Sequence, residues 1–242
     1  MTLLRLLAAG AALTAAFCAI NAQTTSTMPT ISFNPETVAA SAPETKADAT
    51  PEPLTATKAF ADAPATVFPS IDRMTRLDMI DYYNSGSPKP SKNAFKGDCR
   101  ILSASDSQIT VATSKVSEVE LSLLTQGRDT LLMVVTTLNT PVPDSSVKFY
   151  TARWKEIDKG LFMVPMLDDW TLPEAKERKK DLENAVPFIL AKFTYAPETS
   201  TFTLTNNLGD FLPENDAKWV SPLMHKQLSY KWNGKKMVRQ TD

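Results

Sequence analysis

The chain has 242 residues, of which 43% are hydrophobic, and its 26 basic and 27 acidic side chains leave a formal net charge of −1. A balance this even provides no field of one sign, so we expect no nucleic-acid partner. One histidine, two cysteines and seven scattered glycines also provide neither a structural zinc site nor a glycine-rich phosphate loop. We therefore expect no metal site and no cofactor.

Residues 1–22 have the three parts of a secretory signal peptide. Arg5 gives the positive start, residues 6–20 form the apolar stretch, and Ala22 is the small residue at which cleavage would occur. The apolar stretch is too short to span a membrane. The pattern predicts an exported protein that is periplasmic, outer-membrane-associated or secreted.

Two processing routes remain open. Cleavage after Ala22 is the first, and lipidation at Cys18 is the alternative, although Phe17 stands where a lipoprotein signal prefers a small residue. The first route leaves Cys99 as the only cysteine, which excludes an intrachain disulfide. We expect Cys99 to be a small packing residue, with intermolecular pairing as the alternative.

Residues 23–66 are dominated by Thr, Ala, Pro and Ser and carry few large apolar groups. Such a composition cannot offset the entropy of ordering, so it predicts a disordered tether. Residues 67–242 are long enough for one sizeable core and short for two. We expect a single domain there.

Two helices are predicted within the domain. Residues 72–84 have apolar positions at helical spacing, with Thr75 and Asp78 as a capping pair. Residues 171–186 form the second helix, with Thr171 as its N-cap.

The central strand is predicted at residues 131–135, which are five apolar residues in succession and therefore typical of a strand buried on both faces. Two prolines follow, and alternating residues over 147–151 return as a second strand. Further alternating segments lie at 98–125 and 189–205, and Asn-Gly within 228–239 predicts another hairpin. The fold class is α+β, a single domain with a mainly antiparallel β-sheet of consecutive hairpins and two or three helices packed on it.

Four residues near the central hairpin are the candidate binding residues. Tyr150 and Trp154 would form a binding patch if they share an exposed face, and the alternative is that they fill the core. Asp144 and Ser145 lie at a turn entering a strand, where their side chains are expected to accept hydrogen bonds from the following backbone amides. A triad of these two with His225 is disfavoured, because adjacent residues point in different directions.

Carboxylates are the remaining route to an enzyme. Asp168 and Asp169 precede Trp170, as an acid pair beside an aromatic platform does in a glycosidase. Carboxylates beside a helix start are alternatively caps that complement the helix dipole.

A pattern of the form TxxxPVxDSxxxFYxxxW runs through the central hairpin. Its residues are Thr137, Pro141, Val142, Asp144, Ser145, Phe149, Tyr150 and Trp154. This pattern resembles a family of exported Bacteroidetes proteins known only as a domain of unknown function. The resemblance implies an envelope or secreted location and one compact domain, and it implies no catalytic residues.

These observations together predict a non-enzymatic exported binding domain whose partner is an envelope protein or glycan. One alternative is a carboxylate-dependent hydrolase acting on glycans, and another is an inhibitor-like or structural envelope protein. The oligomeric state stays open.

Overall fold

The computed structural model describes residues 53–157 and 160–241, so the predicted signal peptide and the part of the predicted tether before residue 53 lie outside the described residues. The predicted α+β fold of antiparallel hairpins is confirmed, with the strands divided between two sheets. The six-stranded sheet consists, in chain order and in spatial order, of β1 (Ser91–Lys92), β2 (Asp98–Ala104), β3 (Gln108–Ala112), β4 (Ser117–Gln126), β5 (Asp129–Leu138) and β6 (Asp144–Thr151). The four-stranded sheet consists in the same way of β7 (Ala191–Ala196), β8 (Thr201–Asn206), β9 (Gln227–Trp232) and β10 (Met237–Gln240).

Helices are more numerous than the two or three that were predicted. They are α1 (Ala56–Asp62), α2 (Arg73–Asn84), α3 (Leu167–Trp170), α4 (Lys179–Ala185), α5 (Leu208–Phe211) and α6 (Glu214–Val220), together with the 3-10 helices Pro173–Arg178 and Ser221–Leu223. Of the helices in the described residues, none is both long and apolar enough to cross a membrane.

Strand β5 is buried on both faces, as predicted. Residues 131–135 are each at most 5% exposed, and β5 pairs with β4 on one side and β6 on the other. Leu132 and Val134 pack in a core under α1 and α2, whereas Met133 and Val135 pack in a second core shared with the four-stranded sheet. Because successive side chains of a strand point to opposite faces, this one strand supports both cores.

Helix α1 corrects the predicted tether, which was expected to continue to residue 66. The Thr55 hydroxyl accepts a hydrogen bond from the Lys58 amide at 3.2 Å and caps the helix. Ala56, Ala59 and Phe60 are at most 1% exposed and form one apolar stripe against the sheet. An alanine-rich composition suits both a flexible tether and a closely packed helix, and the sheet selects the helix here.

Two predicted caps are wrong. Helix α2 is capped by Asp72, whose carboxylate accepts from the Thr75 amide at 2.7 Å, so Thr75 and Asp78 are not its capping pair. Thr171 does not begin a helix, because its hydroxyl donates to the Leu167 carbonyl at 2.8 Å and its backbone ends α3. The predicted 171–186 helix is accordingly a 3-10 helix followed by the shorter α4.

The predicted Asn-Gly hairpin joins β9 to β10. The Asn233 side chain accepts hydrogen bonds from the Lys235 and Lys236 amides, both at 2.9 Å. Gly234 has φ +85°, a backbone conformation that glycine adopts without steric cost.

Arg76 connects α2 to the segment between the two N-terminal helices. It is 3% exposed, and its guanidinium donates to the carbonyls of Ile71 at 2.8 Å, Ala63 at 2.6 Å and Ala61 at 3.3 Å. The same group lies 5.9 Å from the centre of the Phe68 ring. One buried side chain therefore fixes the path of the chain from α1 into α2.

We predict that Arg76→Ala lowers the free energy of unfolding by about 2–4 kcal/mol, because buried carbonyls lose a charged donor. Arg73→Ala is the matched control, since Arg73 is exposed and its ion pair with Asp62 spans 3.5 Å. The control should cost at most about 1 kcal/mol. Urea unfolding of both variants tests this, and equal losses would contradict it.

Candidate functional site

Asp144 and Ser145 contact strand β7, far along the chain. The Asp144 carboxylate accepts from the Ala191 amide at 3.1 Å, and the Ser145 hydroxyl accepts from the Phe193 amide at 3.0 Å. The Ser145 hydroxyl also hydrogen-bonds the Thr137 hydroxyl at 2.8 Å. Their expected role as acceptors for backbone amides is thus correct, but the amides belong to another sheet and not to the turn that follows.

Two further side chains continue this arrangement. The Glu120 carboxylate accepts from the Tyr195 amide at 3.1 Å, and the Gln108 amide donates to the Tyr195 carbonyl at 2.8 Å and to the Ser122 hydroxyl at 3.0 Å. We call the β7 backbone and the four side chains that bind it (Gln108, Glu120, Asp144 and Ser145) the cross-sheet seam. Every second amide of the outer edge of β7, at residues 191, 193 and 195, is satisfied there by a side chain.

The seam shows that β7 runs across the strands of the six-stranded sheet. Its contacts move from β6 at residue 191 to β4 and β3 at residue 195. Residues 191 and 193 both contact β6, whereas residue 195 contacts β4 and β3, so β7 crosses the strands obliquely.

Glu120 is a titratable group of the seam. The pKa of Glu120 is raised from 4.5 to about 7. The main cause is burial, because a low-polarity environment disfavours the ionised form, and the negative charge of Glu118 contributes in the same direction. Hydrogen bonds from Tyr195 and Gln108, and the charge of Lys192, act in the opposite direction. The group titrates near neutral pH at a position that holds two sheets together.

Tyr150 and Trp154 are brought together, with ring centres 5.3 Å apart. Tyr150 is only 6% exposed and belongs to the core under α1 and α2, and Trp154 is half-buried against the same core. Trp154 has φ +62°, which is uncommon for a bulky residue. The condition of a shared exposed face is not met at Tyr150, and a binding role for the pair stays a prediction.

The acid pair is engaged in local structure. Asp168 forms an ion pair with Lys179 at 2.6 Å, and Asp169 accepts from the Met166 amide at 2.9 Å and lies 3.5 Å from the Arg239 guanidinium. The neighbouring Trp170 is 1% exposed and is not a surface platform. These contacts favour the interpretation as caps.

No group of three or more metal-ligating side chains is present within the described part of the chain. His225 donates its backbone amide to the Trp170 carbonyl at 2.7 Å, and no hydrogen bond joins its side chain to Asp144 or Ser145 among the described residues. Nothing in the geometry joins these three residues as a triad.

A groove of about 390 Å³ lies between the end of α2, the segment 86–91 and strand β2. Its rim includes Tyr83, which is 39% exposed, and Leu102, which is 43% exposed. The free Cys99 lies beneath it at 1% exposure, and burial raises the pKa of its thiol, which makes it a packing residue as expected.

The charged side chains that line this α2–β2 groove are all basic. Lys89 and Arg100 line it and no acidic residue does, and the Lys89 ammonium lies 5.5 Å from the centre of the Tyr82 ring. Ser91 is 8% exposed, and its buried hydroxyl has no hydrogen-bond partner among the residues that the structure describes. The groove thus combines cations, aromatic rings and an unsatisfied polar atom, features typical of a binding site.

No signal in the sequence predicted this groove. The adjacent tyrosines at the end of α2 and the spaced prolines Pro88 and Pro90 were visible, and they predicted only where a helix ends.

A protein-family model described as "Protein of unknown function (DUF3256)" matches residues 52–237. The chain belongs to the DUF3256 family. The solved structure of a domain of an uncharacterized protein from Porphyromonas gingivalis W83 is similar to this DUF3256 chain, with a TM-score of 0.63 and 21% identity over 77% of this chain and 98% of that one. At that identity the likeness shows the fold alone. None of the curated proteins matches.

We predict that Ser145→Ala lowers the free energy of unfolding by about 1–3 kcal/mol, because the Phe193 amide and the buried Thr137 hydroxyl lose their partner. Ser146→Ala is the matched control, since Ser146 is exposed on the same strand. The control should stay within about 0.5 kcal/mol of the parent. Denaturant unfolding measures both, and a neutral Ser145→Ala would show that the seam does not hold the sheets together.

We predict a pH-dependent effect for Glu120→Gln. Because the folded pKa of about 7 exceeds the unfolded value of 4.5, Glu120 supports stability fully below pH 4.5, and this contribution is lost as the pH rises through 7. One pKa unit corresponds to about 1.4 kcal/mol, so the parent should lose up to about 3 kcal/mol relative to Glu120→Gln between pH 4.5 and 8.

Unfolding free energies at pH 4.5, 6 and 8 measure this difference. Glu198→Gln, at an exposed position, serves as the control and should follow the parent at each pH. Parallel profiles for the parent and Glu120→Gln would mean that Glu120 titrates as an ordinary carboxylate.

Proposed function

We propose that this DUF3256 chain is an exported, non-enzymatic binding domain that holds an envelope component in the α2–β2 groove. The observation that carries the proposal is the groove in which Lys89 and Arg100 lie beside the tyrosines at the end of α2, with the buried, unpaired Ser91 hydroxyl in its wall. Two cations and two aromatic rings that line one concave surface are features by which a polar or anionic ligand is bound. The volume of about 390 Å³ lies within the usual range for ligand sites.

Export is supported by the sequence of residues 1–22, with its positive start, apolar stretch and small residue before the cleavage point. This part of the proposal places the groove outside the cytoplasm. The ligand would then be an envelope protein or glycan.

No observation favours the hydrolase alternative. A glycosidase needs two carboxyl groups that face each other across a cleft at roughly 5–10 Å. Asp168 and Asp169 are neighbours on the four-residue helix α3 and bind Lys179 and Arg239.

A photo-cross-linking residue at position 102 tests the proposal. Expressed with its own N-terminal segment in a Bacteroidetes host and illuminated in intact cells, the chain should give a discrete adduct, because Leu102 lies on the groove rim. The same residue at Leu138 is the control, since Leu138 is 54% exposed and does not line the groove.

The double change Lys89→Glu with Arg100→Glu should remove the adduct at position 102 and leave the thermal unfolding midpoint near that of the parent. Equal adducts at positions 102 and 138, or none at position 102, would refute binding in this groove. Mass spectrometry of the adduct separates a protein from a glycan.

A further inference from the structure

The outer edge of strand β2 is covered only at its two ends. Strand β1 pairs with Asp98 and Cys99 and then stops, since Pro90 precedes it and has no amide to donate. At the other end the Tyr83 hydroxyl accepts from the Ala104 amide at 3.1 Å. Residues 100–103 lie between these covers, a length of about 13 Å in extended chain.

The pairing pattern shows which backbone groups face the groove. Asn93 and Gly97 form a hydrogen-bonded pair at 2.9 Å, and two residues further along, Cys99 directs its backbone groups toward Ser91. Arg100 then faces β3, and Ile101 faces outward into the space where β1 has ended. A bulge follows between Ile101 and Ser103 and leaves Leu102 43% exposed.

This open edge is one wall of the α2–β2 groove. Ile101 and Leu102 line it together with the segment 86–91 that diverges from β2. A strand placed there would find the outward-facing amide and carbonyl of Ile101 on one side and the cations Lys89 and Arg100 at the rim. Backbone edges recognise other backbones, whereas a sugar has no repeating amide to pair with them.

We propose that the groove binds an extended, carboxylate-bearing peptide segment, which adds as a strand to the open edge of β2. The inference rests on the proposed function and specifies its ligand. The edge supplies backbone hydrogen bonds, Leu102 and the tyrosines contact alternate side chains, and Lys89 and Arg100 select acidic residues.

The opposing interpretation is that the edge is protected. Bulges, an edge cation and a capping tyrosine are also devices by which sheets avoid pairing with other chains. The two interpretations differ in one measurable way, since a protected edge binds no strand.

The test titrates the purified, isotopically labelled chain with a decapeptide of alternating valine and glutamate, and records amide chemical shifts and hydrogen exchange. We expect saturable shifts confined to residues 82–91 and 99–104, and slower exchange at the Ile101 amide. Three further probes are a valine–lysine decapeptide, the acidic decapeptide methylated at alternate backbone nitrogens, and oligogalacturonate as an anionic glycan.

The acidic peptide should bind at least about tenfold more tightly than the lysine and methylated peptides, because it alone has both the charge and the backbone donors. Lys89→Glu with Arg100→Glu should weaken it by at least about tenfold. The control Lys58→Glu with Arg128→Glu, at two exposed positions away from the groove, should leave the affinity within about twofold, since distant surface charges are screened.

Three results would overturn the inference. The first is that the acidic peptide does not bind, and the second is that the methylated peptide binds equally well. The third is that oligogalacturonate binds with the same shifts while the peptide does not. If any of these occurs while the position-102 adduct still forms, the groove binds a different ligand and the proposed function stands. If the adduct is also absent, both proposals fall.

Discussion

The structure depends on satisfying the edge of strand β7. A strand buried at the end of its sheet carries backbone amides that cost free energy when unpaired, about 1–3 kcal/mol each. In this protein they bind Asp144 and Ser145 on β6 and Glu120 on β4 of the other sheet. Because these acceptors lie on different strands, the four-stranded sheet has one position and one angle in which all its edge amides are paired.

The seam also explains why a carboxylate with a raised pKa sits in the middle of the fold. Glu120 must be buried to reach the Tyr195 amide, and its burial disfavours the ionised form that is the better acceptor. The Gln108 side chain, which binds the Tyr195 carbonyl, completes the pairing of that residue. The seam therefore fixes the orientation of the two sheets, and the burial of Glu120 lowers the stability of the fold near neutral pH.

The outer edges of the two sheets differ in how their backbone groups are covered by the described residues. The β6 edge is covered by the chain that follows it, through the Tyr150–Glu156 bridge and the bond from the Ile157 amide to the Phe149 carbonyl. At β10, the Met237 amide binds the Leu161 carbonyl. The β2 edge instead borders a groove lined by cations. Because this edge is partly uncovered where the other edges are covered, the α2–β2 groove is the candidate binding site of this DUF3256 chain.

Elements with local sequence signals could be predicted from the amino-acid sequence. Five successive apolar residues suffice to bury β5 on both faces, and Asn233-Gly234 suffices for the last hairpin, because periodicity and turn chemistry act over a few residues. The α+β class and the resemblance to a family of unknown function follow from such signals. The caps at Thr75 and Thr171 were misassigned, since several polar residues compete for each helix end.

Only the tertiary structure decided what the polar residues do. Asp144 and Ser145 accept hydrogen bonds from backbone amides that lie 47 and 48 residues further along the chain. Helix α1 forms because its alanines pack against the six-stranded sheet. The α2–β2 groove exists because β1 ends after two residues and leaves part of the β2 edge open beside the end of α2. Contacts of this kind join distant residues, and no local pattern contains the distance between them.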